Sequence, residues 1–138
     1  MSRDSVAVEA FIDASVEVVW RYLTAARDTW WPEMQFDAVV GSPLVETWIE
    51  DGRPATATGL VTASVEPRLL GFHWIEPRWA HPLDVMIRLA PSGSATSVAL
   101  TESGFLRAQS PPSLPAEHEA GWTYHLARLK RVSEGGAA

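Results

Sequence analysis

A series of short β-like segments followed by one long amphipathic segment is the feature that most constrains this 138-residue chain. Turn signals, among them Asp51-Gly52 and Pro91-Ser92-Gly93, separate runs that are rich in Val, Thr, Ile and Trp. These runs are predicted strands, at 44–50, 55–65, 69–75, 83–89 and 95–105. In 83–89 the apolar residues Leu83, Val85, Ile87 and Leu89 face one way and Asp84, Met86 and Arg88 the other, which is typical of an antiparallel sheet with one covered face.

The segments on either side of the strand series predict helices. An alternating strand at 6–12 is followed by Ser15, a typical helix N-cap, and by an apolar stripe at helical spacing that runs to Leu23. Residues 25–31 could add a further turn, and Pro32 ends it. A long helix begins near Leu114 or Pro115 and stops at Gly135-Gly136.

The last helix is the only element long enough to cover the apolar face of such a sheet. The sequence therefore predicts an α+β fold in which a curved antiparallel sheet wraps around this helix. We expect one domain over 1–138, with an ordered core at about 5–134 and a tail at 135–138. A twisted sheet around one helix leaves room for a pocket between them, although a fully packed core fits the same pattern.

Composition excludes several classes of function. Seventeen acidic residues against eleven basic ones give a net charge of −6, which argues against nucleic-acid binding. The chain has no cysteine, hence no disulfide and no thiolate metal site. No apolar run is long enough to span a bilayer, so we expect a cytoplasmic protein that does not insert into membranes.

Four segments resemble one family. The run 117–122, Glu-His-Glu-Ala-Gly-Trp, resembles the closing helix of the activator-of-heat-shock-protein-ATPase homologue family, which belongs to the SRPBCC or START-like superfamily with the helix-grip fold. Segments 19–24, 69–74 and 101–105 resemble its first helix, the strand that usually ends in an aromatic-Thr-Trp triplet, and the Gly-Phe that closes its last strand. Two departures are the single Gly41 where the family carries paired glycines, and His73 where it usually has Thr.

The resemblance implies a closed sheet gripping the last helix, with an internal pocket for a small apolar or amphipathic molecule. It implies neither a fixed cofactor nor a shared catalytic set. Many relatives are single-domain bacterial proteins, and the eukaryotic namesake has an additional domain. Chaperone activation is therefore not the expected role of this chain.

Tryptophan makes up seven of the chain's thirteen aromatic residues, counting two Tyr and four Phe. We predict that the cavity is lined by aromatic, histidine and methionine side chains on the elements that face it. The candidates are Trp20, Trp31, Phe36, His73, Trp74, Met86, Phe105, His118, Trp122 and His125. Plain core packing is the competing interpretation for Trp20 and Trp122. Because Trp30 and Trp31 are consecutive, we expect one of them at the cavity mouth or in an oligomer contact.

Polar candidates are less distinctive. His118 and His125 are seven residues apart on one helical face, about 10 Å, which is too far to share one zinc ion, so no metal is predicted. Glutamates occur at strand positions, where an inward side chain could serve as an acid or base and an outward one is solvated. These are Glu9, Glu46, Glu50, Glu66 and Glu102, and the sequence leaves their orientation open.

Three functions compete. The leading hypothesis is a protein that binds a small hydrophobic or amphipathic ligand between the last helix and the sheet. The second is an enzyme, such as a cyclase, dehydratase or hydrolase, that uses His73, His118, His125 or Glu102 as acid or base. The third is an interaction or chaperone-regulator module, with a homodimer left open. Its contact residues would be Trp30, Trp31, Trp48 and Trp79.

Overall fold

The computed structural model of the protein describes residues 3–136 and contains one seven-stranded antiparallel sheet and two α-helices. The strands are β1 Ser5–Ile12, β2 Met34–Gln35, β3 Pro43–Glu50, β4 Arg53–Val65, β5 Leu69–Ile75, β6 Leu83–Ser92 and β7 Ala95–Ser103. The helices are α1 Val16–Leu23 and α2 Leu114–Ser133, with a 3-10 turn at Arg27–Thr29. The predicted α+β fold and its long closing helix are thus confirmed.

The sheet runs in the order β1-β7-β6-β5-β4-β3-β2, so the first strand closes against the last one. The strands from β3 to β7 are linked as a meander of consecutive antiparallel pairs. The two-residue strand β2 pairs with the middle of β3 and was not predicted, because it is too short to show an alternating pattern.

Strand alternation separates an inner face from an outer face. On β5 the side chains of Leu70, Phe72 and Trp74 are buried, and on β6 those of Val85 and Ile87 are buried as well. The helix α2 packs along β1 and against α1, and its Trp122 meets the inner-face aromatic residues of β5. The core therefore lies between α2, α1 and the inner face of the sheet.

Local sequence signals set the ends of both helices. The Ser15 side chain accepts a hydrogen bond from the backbone N–H of Val18 at 3.3 Å, which confirms the predicted N-cap. At the end of α2, the N–H of Gly136 donates to the carbonyl of Arg131 and that of Gly135 to Val132, a Schellman arrangement. These two glycines therefore cap the helix, while 137–138 of the predicted tail lie outside the described residues.

The expectation for the two consecutive tryptophans was wrong. Trp30 and Trp31 are both buried, because the regular helix has already ended and the 3-10 turn aims the two rings inward. Their centroids are 5.6 Å apart, and the Trp30 indole N–H donates to the carbonyl of Tyr22 at 2.6 Å. Trp79 is also buried, so these three residues cannot form the predicted interaction surface.

Among residues 3–136, neither helix combines the length and the apolar character that a membrane crossing requires.

Candidate functional site

A fully buried carboxylate lies at the centre of the site. Glu102 is on β7, in register with Val6 on one neighbouring strand and Val85 on the other, and both of these valines are buried. The inner face of β7 therefore carries a glutamate next to Val98 and Leu100, the two preceding residues of that face, which are hydrophobic and buried. Burying a charge costs free energy unless it is paired and hydrogen-bonded.

Three N–H groups satisfy this carboxylate. The indole Nε1 of Trp74 donates to Oε2 of Glu102 at 2.8 Å, and that of Trp122 donates to Oε1 at 2.8 Å. Nδ1 of His118 lies 2.8 Å from the same Oε1. Since an ionised carboxylate can only accept, Nδ1 carries the proton of this bond. The Glu102 network thus joins β5, β7 and α2.

The network orients His118. Burial alone would lower the pKa of His118, but the hydrogen bond and charge of Glu102, with the charges of Glu76 and Glu117, outweigh it and raise that pKa above its usual value. With Nδ1 held by Glu102, Nε2 has no hydrogen-bond partner among the described residues. The His118 ring lines a pocket, so Nε2 is the group through which it can bind or exchange a proton.

The pocket has a volume of about 720 Å³ and lies between the start of α2 and the strands β3 to β5. Its walls combine aromatic and charged side chains with parts of the loops at 76–79 and 109–113. The lining residues are Glu46, Trp48, Glu50, Ala57, Trp74, Glu76, Arg78, Trp79, Gln109, Pro111, Ser113, Leu114, Glu117 and His118. A volume in this range suits a small organic molecule.

A second carboxyl group, Glu46 on β3, faces this pocket. Its pKa is raised to about 7, chiefly by burial; the hydrogen bond from Trp31 and the charge of His118 act to lower it, and the charges of Glu33 and Glu76 act to raise it. The Trp31 indole donates to Oε2 of Glu46 at 3.0 Å. Near neutral pH this carboxyl group can therefore either donate or accept a proton inside the pocket.

The rest of the space between α2 and the sheet is filled by an aromatic cluster. The rings of Trp31 and His125 stack at 4.2 Å, and Trp122 meets Trp31 edge-on at 5.7 Å. Phe72 and Trp74 extend the cluster along β5, with centroids 5.4 Å apart. The hollow of the sheet is therefore packed beneath the middle of α2 and open at its beginning.

The ten predicted cavity residues consequently lie in different parts of the structure, and only some of them line the pocket. Trp74 and His118 line the pocket. Trp31, Trp122 and His125 form the aromatic cluster beside it, and Phe105 supports His118 edge-on at 5.6 Å from the core. Trp20 is a buried core residue of α1. Phe36 lines a separate shallow depression, where the Arg27 guanidinium lies 4.4 Å from its ring.

His73 and Met86 do not belong to the lining. Each alternates with buried inner-face residues of its strand, so the pleat directs both side chains to the outer face. His73 is in register with the exposed Leu60 and Asp84, and Met86 is in register with Gly71. The departure from the family pattern at His73 therefore does not alter the polar lining of the pocket.

Most lining residues were not among the predicted ones, and three of these, Glu46, Trp48 and Glu50, are on β3. Its inner face holds Leu44, Glu46 and Trp48, whereas Val45 and Ile49 are exposed on the outer face. The sequence showed that Trp48 and Glu46 share a face, but polar and apolar residues are so mixed in this strand that the inner face could not be assigned. Trp79 and Arg78 follow a strand in a loop, where no periodicity exists to orient them.

Within residues 3–136 no group of three or more His, Asp or Glu side chains is placed to hold a metal ion.

A curved antiparallel sheet closed around one long C-terminal helix, with a short helix after the first strand, defines a protein of the helix-grip class. The chain belongs to the Activator of Hsp90 ATPase homolog 1-like protein family, whose sequence profile matches residues 13–134. Among curated proteins, none matches the chain.

Solved structures agree with this fold. The chain is similar to DynU16, a protein of the dynemicin biosynthetic locus, with a TM-score of 0.81 and 25% identity over 98% of this chain and 49% of that chain. It is similar to the Aha1 dimer from Colwellia psychrerythraea, with a TM-score of 0.78 and 19% identity over 99% of this chain and 100% of that one. CalU16 from Micromonospora echinospora has a TM-score of 0.73 and 22% identity, over 95% of this chain and 76% of that one.

Proposed function

We propose that the protein binds a small amphipathic molecule in the pocket at the beginning of α2. The observation that carries this proposal is a pocket of about 720 Å³ in which tryptophan rings stand beside His118, whose Nδ1 is held by the buried Glu102 and whose Nε2 has no partner among the described residues. Apolar area buried against Trp48, Trp74 and Trp79 would contribute about 25 cal/mol per Å². The His118 imidazole would orient the polar end of the ligand.

The proposal is tested by a neutral fluorescent probe, N-phenyl-1-naphthylamine, whose emission increases in apolar surroundings. Ser113→Trp places a bulky ring at the exposed mouth of the pocket without changing a core residue. Ala127→Trp adds the same ring to an exposed position of the same helix that does not line this pocket. We expect saturable binding in the parent protein and in Ala127→Trp, and its loss in Ser113→Trp. Equal binding by all three proteins would refute the assignment of the pocket.

Native mass spectrometry of freshly purified protein is the complementary experiment. A co-purified small molecule that is retained by Ala127→Trp and absent from Ser113→Trp would identify the ligand directly. A homodimer would appear in the same spectra, and any such contact would have to avoid Trp30, Trp31 and Trp79, which are buried within one chain.

A catalytic function is the second candidate, and one observation favours it. Glu102 holds Nδ1 of His118, which leaves Nε2 of this pocket-lining residue without a partner among residues 3–136 and able to act as a general acid or base. Glu46 lines the same pocket with a pKa of about 7 and could supply the second proton-transferring group. If the bound molecule is a substrate, incubation with the parent protein will convert it, and His118→Asn will bind it without conversion. Conversion by His118→Asn at the parent rate would exclude this role.

A further inference from the structure

We propose that the occupant of this pocket is an organic ammonium ion, a molecule with an apolar body and a positively charged amine. This inference rests on the proposed function and specifies its ligand class. It follows from the charged and aromatic side chains that surround the open part of the pocket. These side chains are Trp48, Trp74 and Trp79 together with Glu46 and Glu117.

The charges of the lining do not balance. Arg78 is the only arginine or lysine among the described lining residues, and its guanidinium pairs with Glu76 at 3.1 Å and Glu50 at 3.3 Å. The imidazole of His118 is matched by Glu102 at 2.8 Å, so that pair adds no net charge when both are ionised. Glu46 and Glu117 have no cationic partner among residues 3–136. The pocket therefore attracts cations and repels anions.

The carboxylates of Glu46 and Glu117 lie at different depths, one on the floor of the pocket and the other at its mouth. Glu46 is half-buried on the floor formed by β3, and only its Oε2 accepts a hydrogen bond, from Trp31. Oε1 of Glu46 has no partner within the described chain and can accept an N–H from a ligand. Glu117 is exposed on α2 at the mouth, where its charge would steer an approaching cation.

The tryptophan rings suit the same ligand. Tryptophan is the side chain that best attracts a cation over its face, and three of them line this pocket. Trp79 and Trp74 both lie beside His118, with centroids 5.8 and 6.3 Å from its ring. The indole N–H of Trp74 is already bound to Glu102, so this side chain offers the ligand its ring and no donor. An ammonium ion would thus find carboxylate acceptors and aromatic faces together.

Three probes with one common body test the charge requirement: 3-phenylpropylamine, 3-phenyl-1-propanol and 3-phenylpropanoate. Calorimetric titrations are made at low salt and about pH 8, which is above the pKa of about 7 of Glu46 and below that of an alkyl amine. We expect the amine to bind about tenfold more tightly than the alcohol, and the carboxylate to bind most weakly. Added salt should weaken binding of the amine and leave that of the alcohol unchanged.

Glu46→Gln keeps the acceptor for Trp31 and removes the charge. It should lower the affinity for the amine about tenfold and leave that for the alcohol unchanged. Glu117→Gln should lower it less, and Glu9→Gln, at an exposed position of β1 outside the pocket, should have no effect. If the alcohol or the carboxylate binds as tightly as the amine, this inference is overturned and the proposed function stands. If none of the three binds while N-phenyl-1-naphthylamine does, this inference is overturned and the proposed function stands; if none of the four probes binds, both fail.

Discussion

The indole Nε1 of Trp122 lies 2.8 Å from Oε1 of Glu102, so the long helix is joined to the last strand by a hydrogen bond within the core. Trp74 makes the equivalent bond to the other oxygen from β5. Since each buried donor has only this acceptor, the three residues form a closed polar unit in an apolar core. The same unit positions His118 at the pocket, which ties the stability of the fold to the geometry of the site.

We expect Glu102→Ala to lower the free energy of unfolding by about 3 kcal/mol or more, because it leaves two buried indole N–H groups without an acceptor. Glu102→Gln, which retains one acceptor oxygen, should have an intermediate effect. Glu9→Ala, at an exposed position of β1, should change stability by less than about 0.5 kcal/mol. Denaturant unfolding measures all three. A loss under about 1 kcal/mol for Glu102→Ala would contradict the role given to the network.

Glu46 should make the protein less stable as the pH rises. Its pKa is raised from 4.5 to about 7 in the folded state, so between these values the folded protein binds more protons than the unfolded chain. The favourable contribution is complete below pH 4.5, is lost as the pH rises through about 7, and amounts to about 3 kcal/mol. The groups that act on Glu46 are Trp31, Glu33, His118 and Glu76. Because His125 changes stability in the opposite direction over part of this range, the test is the difference between two proteins: from pH 4.5 to 7 the parent protein should lose about 3 kcal/mol more stability, or gain that much less, than Glu46→Gln.

His125 should have the opposite pH dependence. Burial, followed by the charge of Arg128, lowers its pKa from 6.5 to about 4. Its contribution is complete above pH 6.5 and is lost as the pH falls through about 4, again by about 3 kcal/mol. His125→Phe keeps a ring that can stack on Trp31 and has no proton to gain. We expect this variant to resist acid unfolding better than the parent protein, and equal acid sensitivity would show that His125 is not the titrating group.

Much of the fold was predictable because its signals are local. The Ser15 cap, the alternation in β6 and the glycines after α2 each act within a few residues, and each predicted its element correctly. The orientation of β3 was not predictable in this way. Its inner face carries Glu46 and Trp48, and only pairing with the rest of the sheet determines that these residues face inward.

The site was predictable only in part, because local signals do not show which distant residues meet. The resemblance and the helical spacing singled out His118, Trp122 and Trp74, and Glu102 was named as a candidate acid or base, but the sequence did not show that the three residues share this carboxylate. Glu102 was one of five strand glutamates, and what distinguishes it is the convergence of donors from β5 and α2, which are distant in sequence. His73 and Met86 were misplaced because a candidate chosen by residue type alone says nothing about the side of the pleat on which it lies.

Replacement of Gly59 and of Gly121 by alanine should change the stability of the protein in opposite directions. Gly59 on β4 is in register with Trp74, and a Cβ there would overlap the carbonyl oxygen of His73 on β5. Because the atoms that this Cβ would meet on β5 are backbone, the strands would have to separate, so Gly59→Ala should destabilise the protein by about 3 kcal/mol. Gly121 lies in α2, and apart from the backbone of its own helix no heavy atom lies within 4 Å of the position that a Cβ would occupy. Gly121→Ala should therefore stabilise the protein by about 0.5–1 kcal/mol, since alanine is the better helix former.

The glycine pair also separates stability from binding. Gly59→Ala should displace Trp74 and with it both the Glu102 network and a wall of the pocket, so binding of N-phenyl-1-naphthylamine should weaken together with stability. Gly121 does not line this pocket, so Gly121→Ala should raise the melting temperature and leave probe binding unchanged. Thermal unfolding and probe titration on the two variants measure both effects. Unchanged probe binding in a folded Gly59→Ala protein would mean that the spacing between β4 and β5 does not determine the shape of the pocket.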